Sequence, residues 1–203
     1  METTGVILAG GKSRRMGEDK RFLKVGEETL LKRSLRVMSR IFSEVFVVIA
    51  QDSPPLELPG CQVYRDLIPD CGSLGGLYTG LARATRGRIF AVACDMPFLN
   101  QDLIQWFLAR DSEADVVMAR LESGLQPLHA VYGKRTLPYL QRMAEARQLK
   151  IQTIVSQPLL RVTIVQPSEW QSLDPQSRSF QNVNSPEELQ AARIAVTQIP
   201  LSE

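Results

Sequence analysis

Cysteine is scarce in this chain, and what there is does not pair. Cys61, Cys71 and Cys94 are odd in number and none stands in C-x-x-C spacing. That argues against a disulfide framework or a structural zinc site and fits a reducing compartment. Long apolar runs are missing too. None approaches the ~18 residues of a membrane span, and Met1-Glu2-Thr3-Thr4 has no basic n-region. Charge of one sign is also lacking: the formal net charge is +2, too small for bulk attraction to nucleic acid or a membrane surface. These absences lead to the expectation of a cytoplasmic protein with no nucleic-acid and no membrane partner. Histidine occurs once, as His129, where it alternates within an apolar stretch, so a structural or pocket-lining role is favoured over catalysis.

The remaining composition, 44% apolar with 23% charged residues, is that of an ordinary globular protein. A length of 203 residues suits one α/β domain, or one domain with a small appendage. Apolar runs at residues 5–9, 45–50 and 89–94 predict buried strands, and 62–65 a weaker one. Leu31, Leu35, Met38 and Phe42 form a helical stripe across residues 28–42. Asp70-Cys71-Gly72-Ser73-Leu74-Gly75-Gly76 is expected to be a glycine-rich turn leading into a helix that closes near Gly87. Asn100 is placed to cap a helix running to about Ala109. Further strands are expected at 115–119, 127–132 and 161–165. Further helices are expected at 136–146, with Pro138 in the first turn, at 150–156, and after Ser185 with Pro186 at its first position. Residues 168–178 read as a polar loop with one helical turn.

Strand–helix alternation in the first half implies right-handed βαβ units and a mainly parallel sheet. Such sheets bind ligands beyond the carboxyl ends of their strands. Gly10, Asp66 and Asp95 each stand just past an expected strand and should therefore converge on one crevice.

The first of those strand ends is the richest. After residues 5–9 the chain breaks at Gly10-Gly11 into a loop carrying Lys12, Arg14, Arg15, Gly17 and Lys20. Paired glycines after a strand allow a sharp turn with backbone N–H groups close to a ligand, and the cations suit a polyphosphate. It is not a dinucleotide fingerprint, because Lys12 and Arg15 occupy positions that need glycine. Nor is it a Walker loop: Gly5 is one residue too far from Gly11-Lys12-Ser13, and the residues between are strand-like. A basic surface turn is the alternative on composition alone.

From Leu8 to Lys20 the stretch resembles, over thirteen successive positions, the opening signature Leu-Ala-Gly-Gly-x-Ser-x-Arg-Met-Gly-x-Asp-Lys of nucleotidyltransferases that activate sugars and cofactors. The form here is most similar to the molybdenum cofactor guanylyltransferase family. Three later segments carry the same resemblance: Asp66 ahead of the turn at Gly72–Gly76, Cys94-Asp95-Met96-Pro97, and Asn182-Val183-Asn184-Ser185-Pro186-Glu187. Ser73 stands where that family commonly has proline, which bears on the stiffness of the turn rather than its role.

The resemblance implies a single Rossmann-like α/β domain over residues 1–203, with a mainly parallel sheet and helices on both faces. Its nucleotide-binding half would be about 1–100 and its acceptor-binding half about 101–203. It implies GMP transfer from GTP to the terminal phosphate of molybdenum-loaded molybdopterin, with Mg²⁺ as cofactor. Leu8, Ala9 and Gly10 would offer backbone groups to GTP and Asp66 would contact the nucleotide. Lys20 would stabilise the transition state and Arg15 would touch pyrophosphate. Asp95 would be the metal ligand and a catalytic residue, and Asn182 and Asn184 would lie near the acceptor. A monomer is expected, with transient contacts to other cofactor-biosynthesis proteins and apoenzymes.

The residues by themselves leave alternatives. Asp95 ends a stiff apolar strand, which suits a Mg²⁺ ligand completed by phosphates and water, but it could equally cap the helix near Asn100. Lys20 could be one half of a surface ion pair of little energetic value. The lack of an evident general base fits an acceptor that is a phosphate monoester, since its second pKa near ~6 leaves it already ionised at neutral pH. Competing functions are a CTP-dependent enzyme acting on the same pterin, a sugar-1-phosphate nucleotidyltransferase, and a non-catalytic carrier of the pterin cofactor.

Overall fold

The computed structural model describes residues 2–10 and 19–197. In chain order these residues form β1 (Thr3–Leu8), a small hairpin of β2 (Lys24–Val25) and β3 (Glu28–Thr29), α1 (Leu30–Ile41), β4 (Val45–Ile49), β5 (Gln62–Arg65), α2 (Gly72–Arg83), β6 (Arg88–Ala93) and α3 (Gln101–Arg110). They continue with β7 (Val116–Leu121), β8 (Gly124–Gly133), α4 (Leu137–Glu145), β9 (Val162–Val165), the short α5 (Pro167–Trp170) and α6 (Pro186–Thr197). Seven strands make one sheet in the order β5-β4-β1-β6-β8-β7-β9. β8 runs antiparallel to both β6 and β7, and the remaining pairs are parallel.

Alternation along β1 explains why helices flank the sheet on both faces. A Cβ on Gly5 would meet Phe42 Cδ2 at 2.8 Å, so this position faces the end of α1. Its neighbour Val6 points the other way: a Cβ on Gly80 of α2 would lie 2.6 Å from Val6 Cγ1. β6 is buried at every position. Even Arg88 is buried there, because its guanidinium donates to the carbonyls of Asp111 and Ser112 just past the end of α3.

The glycine-rich turn is shorter than expected, and the helix after it starts earlier. α2 begins at Gly72, so Gly75 and Gly76 lie within its first turns, and it closes at Arg83. The four glycines of α2 weaken helix propensity, but tertiary packing overrides this. A Cβ on Gly75 would sit 2.7 Å from the carbonyl oxygen of Ile68, and one on Gly76 would sit 3.2 Å from Leu8. The short helix expected at 150–156 is a 3₁₀ helix, Ile151–Ser156. Asn100 caps α3 as expected, accepting from the N–H groups of Asp102 and Leu103.

The described residues form two apolar clusters. The larger fills both faces of the sheet. The smaller joins Leu23, Val25 and Leu30 to Val183, Leu189 and Ala192 of the carboxyl-terminal segment. No helix among the described residues is long and apolar enough to cross a membrane.

Candidate functional site

Backbone hydrogen bonds carry the ladder beyond the strand ends and line up the residues that follow. Ala9 N–H donates to Val48 O (2.8 Å), Cys94 N–H to Leu8 O (3.0 Å), and Asp66 N–H to Ile49 O (2.9 Å). Gly10, Asp66 and Asp95 therefore stand at one edge of the sheet. A crevice of about 280 Å³ opens there, its wall including Leu8, Ala9, Gly10, Lys20, Asp95 and Asn182. Gly10 is required where it stands, because a Cβ would come within 2.9 Å of the backbone nitrogen of Ala50.

Four side chains from distant parts of the chain form a hydrogen-bonded chain on this wall. Asn182 Nδ2 donates to Asp95 Oδ1 at 2.9 Å. Lys20 Nζ donates to Asp95 Oδ2 at 3.1 Å and to Asn184 Oδ1 at 2.7 Å. The smaller apolar cluster fixes this arrangement. Leu23, three residues past Lys20, and Val183, between the two asparagines, are both buried in it. Val183 N–H also donates to the carbonyl of Asp95 at 2.9 Å. Glu188 holds the next turn, its carboxylate accepting from the N–H groups of Asn184 and Ser185. Burying Val183 is thus what presents Asn182 and Asn184 to the crevice.

Asp66 stands apart from the crevice wall. It is buried, with Oδ1 making no hydrogen bond among the described residues, and lies against Gly76, which also packs on Leu8. Burial pushes its carboxyl up to about 7. Cys94, next to Asp95, is pushed up to about 12, first by burial and then by the charge of Asp95. It is therefore a thiol at neutral pH, not a nucleophile.

Asp19, Arg21 and Leu128 also line the wall and were not singled out by the sequence reading as binding residues. Asp19 and Arg21 pair across the Lys20–Phe22 turn, with Arg21 Nη2 donating to Asp19 Oδ2 at 2.5 Å. Burial works to raise the Asp19 carboxyl, but the hydrogen bonds and charge of Arg21 outweigh it and hold the group below its usual range. Leu128 also reaches the wall. It does so where the pairing of β7 with β8 shifts register, a feature that apolar alternation does not reveal. Arg15, Lys12 and Arg14 lie outside the described residues.

His129 follows Leu128 at a φ of 72° and is fully buried. Its ring lies 5.0 Å from Phe90, 5.1 Å from Phe107 and 4.8 Å from Phe180 between centroids. Burial pushes it down to about 4, so it is a neutral member of an aromatic core.

The donors at Asp95 and Asn184 are hard oxygens already arranged around an ammonium group. That chemistry fits a hard divalent cation held by one carboxylate together with substrate phosphates and water. Among the described residues no group of three or more His, Cys, Asp or Glu side chains could hold a metal ion, so Asp95 would supply the protein's carboxylate to a shared site.

In a mainly parallel α/β sheet, a crevice at the carboxyl ends of the strands is where ligands bind, and here it sets Lys20 and Arg21 beside Asp19 and Asp95. A family profile described as MobA-like NTP transferase domain matches residues 5–162. The chain belongs to this family of nucleotidyltransferases. A relative named probable molybdenum cofactor guanylyltransferase from Pelotomaculum thermopropionicum is 37% identical over 194 residues, covering 96% of this chain and 93% of the relative. One named molybdenum cofactor guanylyltransferase from Desulfosudis oleivorans is 32% identical over 197 residues, covering 95% of each. The solved structure of molybdopterin-guanine dinucleotide biosynthesis protein A from Archaeoglobus fulgidus superposes with a TM-score of 0.84 at 21% identity, covering 97% of this chain and all of that one. That likeness is one of fold.

Proposed function

We propose that the protein transfers GMP from GTP to the terminal phosphate of molybdenum-loaded molybdopterin, releasing pyrophosphate and forming a guanine dinucleotide cofactor. The observation that carries the reading is the Asn182–Asp95–Lys20–Asn184 chain of hydrogen bonds at the carboxyl edge of the sheet. It occurs in a chain whose full-length relatives are named for this activity.

An oxygen of the acceptor phosphate attacks the α-phosphorus of GTP. One P–O bond forms, the α–β P–O bond breaks, and pyrophosphate leaves with the electron pair. The acceptor phosphate is already ionised at neutral pH, so no side chain has to remove a proton. The buried, neutral His129 is not needed for that task. What the step requires is placement and charge neutralisation. Lys20 supplies a fixed positive charge, and Asp95 and Asn184 hold its ammonium group in place. Asn182 orients the Asp95 carboxylate. Leu8, Ala9 and Gly10 offer backbone groups to the nucleotide and Arg15 contacts the pyrophosphate, while Asp66, set back from the crevice wall, acts on the nucleotide from behind Leu8 and Gly76. Mg²⁺ held by Asp95 would neutralise phosphate charge and polarise the α-phosphoryl group. Asn182 and Asn184 lie on the acceptor's side of the site.

The test is transfer of label from α-³²P-GTP, with Mg²⁺ and the molybdenum-loaded pterin. The expected result is label in a pterin dinucleotide, with one pyrophosphate per transfer. Label recovered only in GTP or GMP would overturn the reading, and label transferred from CTP instead would reassign the base.

A further inference from the structure

The motif shared with the family ends at Lys20, so nothing in it singles out the residue that follows. Arg21 is only 5% exposed, yet it forms part of the crevice wall beside Lys20 and Asp95. Its guanidinium meets Asp19 along one edge. Nε donates to both carboxylate oxygens at 2.9 Å and Nη2 donates to Oδ2 at 2.5 Å. The backbone N–H of Arg21 adds a bond to Oδ1 at 3.0 Å. The remaining nitrogen, Nη1, is buried and makes no hydrogen bond among the described residues.

An orphaned donor of this kind calls for a reason. Arginine cannot shed its charge by deprotonation, and native structures rarely leave a buried donor without a partner. Tying down the Lys20–Phe22 turn explains the edge that faces Asp19, and leaves Nη1 unexplained. The opposite edge of a guanidinium held in this way is suited to an anionic oxygen. Within the crevice, Lys20 is already engaged with Asp95 and Asn184, and Arg21 is the cation on the described wall with an unused donor.

We propose that Arg21 is a phosphate-binding residue of this crevice, its guanidinium oriented by Asp19 and its Nη1 edge completed by a phosphate oxygen of a bound substrate. The inference rests on the nucleotidyl-transfer reading for its choice of ligand. That ligand has two possible sources, the nucleotide's phosphates and the acceptor's terminal phosphate, and both offer the same chemistry.

The experiment compares wild type with R21A and R21K. Calorimetry gives the Kd for pyrophosphate and for GTP, and pyrophosphate release gives kcat and a KM for each substrate. Thermal unfolding controls for folding. R21A is expected to weaken binding at least tenfold, with R21K recovering part of the loss because it keeps the charge without the planar fork. Weakened pyrophosphate and GTP binding with an unchanged acceptor KM identifies the nucleotide's phosphates. A raised acceptor KM with unchanged nucleotide binding identifies the acceptor's. Every Kd and KM within twofold of wild type overturns the proposal, as does a fall in kcat alone.

Should R21A fail to fold, ¹⁵N-labelled arginine side chains in the intact wild-type chain give a second readout. The Arg21 Nη resonance, assigned by its loss in R21K, shifts on adding pyrophosphate and then GTP or acceptor if the proposal holds, and stays in place throughout if it does not. Pyrophosphate binding does not depend on pterin turnover. Failure of wild type to transfer GMP, with binding still lost in R21A, would therefore remove the functional reading and leave this one.

Discussion

Asp95 and Asp66 occupy equivalent places, each just past the end of a parallel strand on the same edge of the sheet, and their surroundings make them opposites. Asp95 faces the crevice with both oxygens engaged, one by Lys20 and one by Asn182. Asp66 is covered by α2, leaves Oδ1 without a hydrogen bond and titrates near neutrality because of burial. Topology delivers a carboxylate to each strand end, but the neighbours decide what it can do. A charged, partnered carboxylate suits cation and phosphate chemistry, whereas a desolvated one is poised between carboxylate and acid.

The comparison breaks most visibly at Asp95. Replacing it with alanine should cut nucleotidyl transfer by about 1,000-fold or more, because it removes both the metal-suited carboxylate and the anchor for Lys20. Pyrophosphate release measures this, and unchanged turnover would sink the assignment. K20M should cost about 100-fold in kcat while moving Tm only slightly, since an ion pair near the surface contributes little to stability.

A smaller effect sharpens the contrast through pH. Asp66 binds a proton more tightly when folded than unfolded between its ordinary 3.8 and about 7, so the folded state loses stability as pH rises through that window. His129 is held neutral down to about 4 against an ordinary 6.5, so stability is lost as pH falls through that range. The two slopes oppose each other between about pH 4 and 6.5. Denaturant titrations should show D66N gaining stability as pH rises across that interval, by on the order of 2 kcal/mol. H129N, which does not titrate and tolerates the left-handed backbone, should show the opposite slope up to about pH 7. Parallel profiles for the two variants would refute the burial argument. The smallest effect is at Asn182: N182A should lose about tenfold in kcat, the value of one hydrogen bond to a charged group. A loss as large as that of D95A would mean that Asn182 does more than orient the carboxylate.

Much of this was legible in the sequence, for physical reasons. Continuous apolar runs announce β1, β4 and β6 because strands buried on both faces have no polar side to show. Turns with strong local chemistry, such as Asn100 and Ser185-Pro186, mark helix starts. The helix after the glycine-rich turn was legible from its apolar stripe, but its start at Gly72 and its end at Arg83 were not, because the glycines serve close approach to Ile68, Leu8 and Val6, which local propensity does not encode. The antiparallel course of β8 and the irregularity that brings Leu128 to the wall depend on register, which alternation does not encode. Asp95, Lys20 and the two asparagines could be picked from motifs, but their mutual bonding needed the fold. Arg21 lies one residue beyond the motif, and what sets it apart is a buried nitrogen with no partner among the described residues, which only the fold reveals.

The most direct test of the central claim is Mg²⁺-dependent pyrophosphate release with each of the four NTPs, with and without molybdenum-loaded molybdopterin. The account predicts release with GTP alone, and only when the pterin is present. Equal release without the pterin, or none with GTP under any condition, would contradict it.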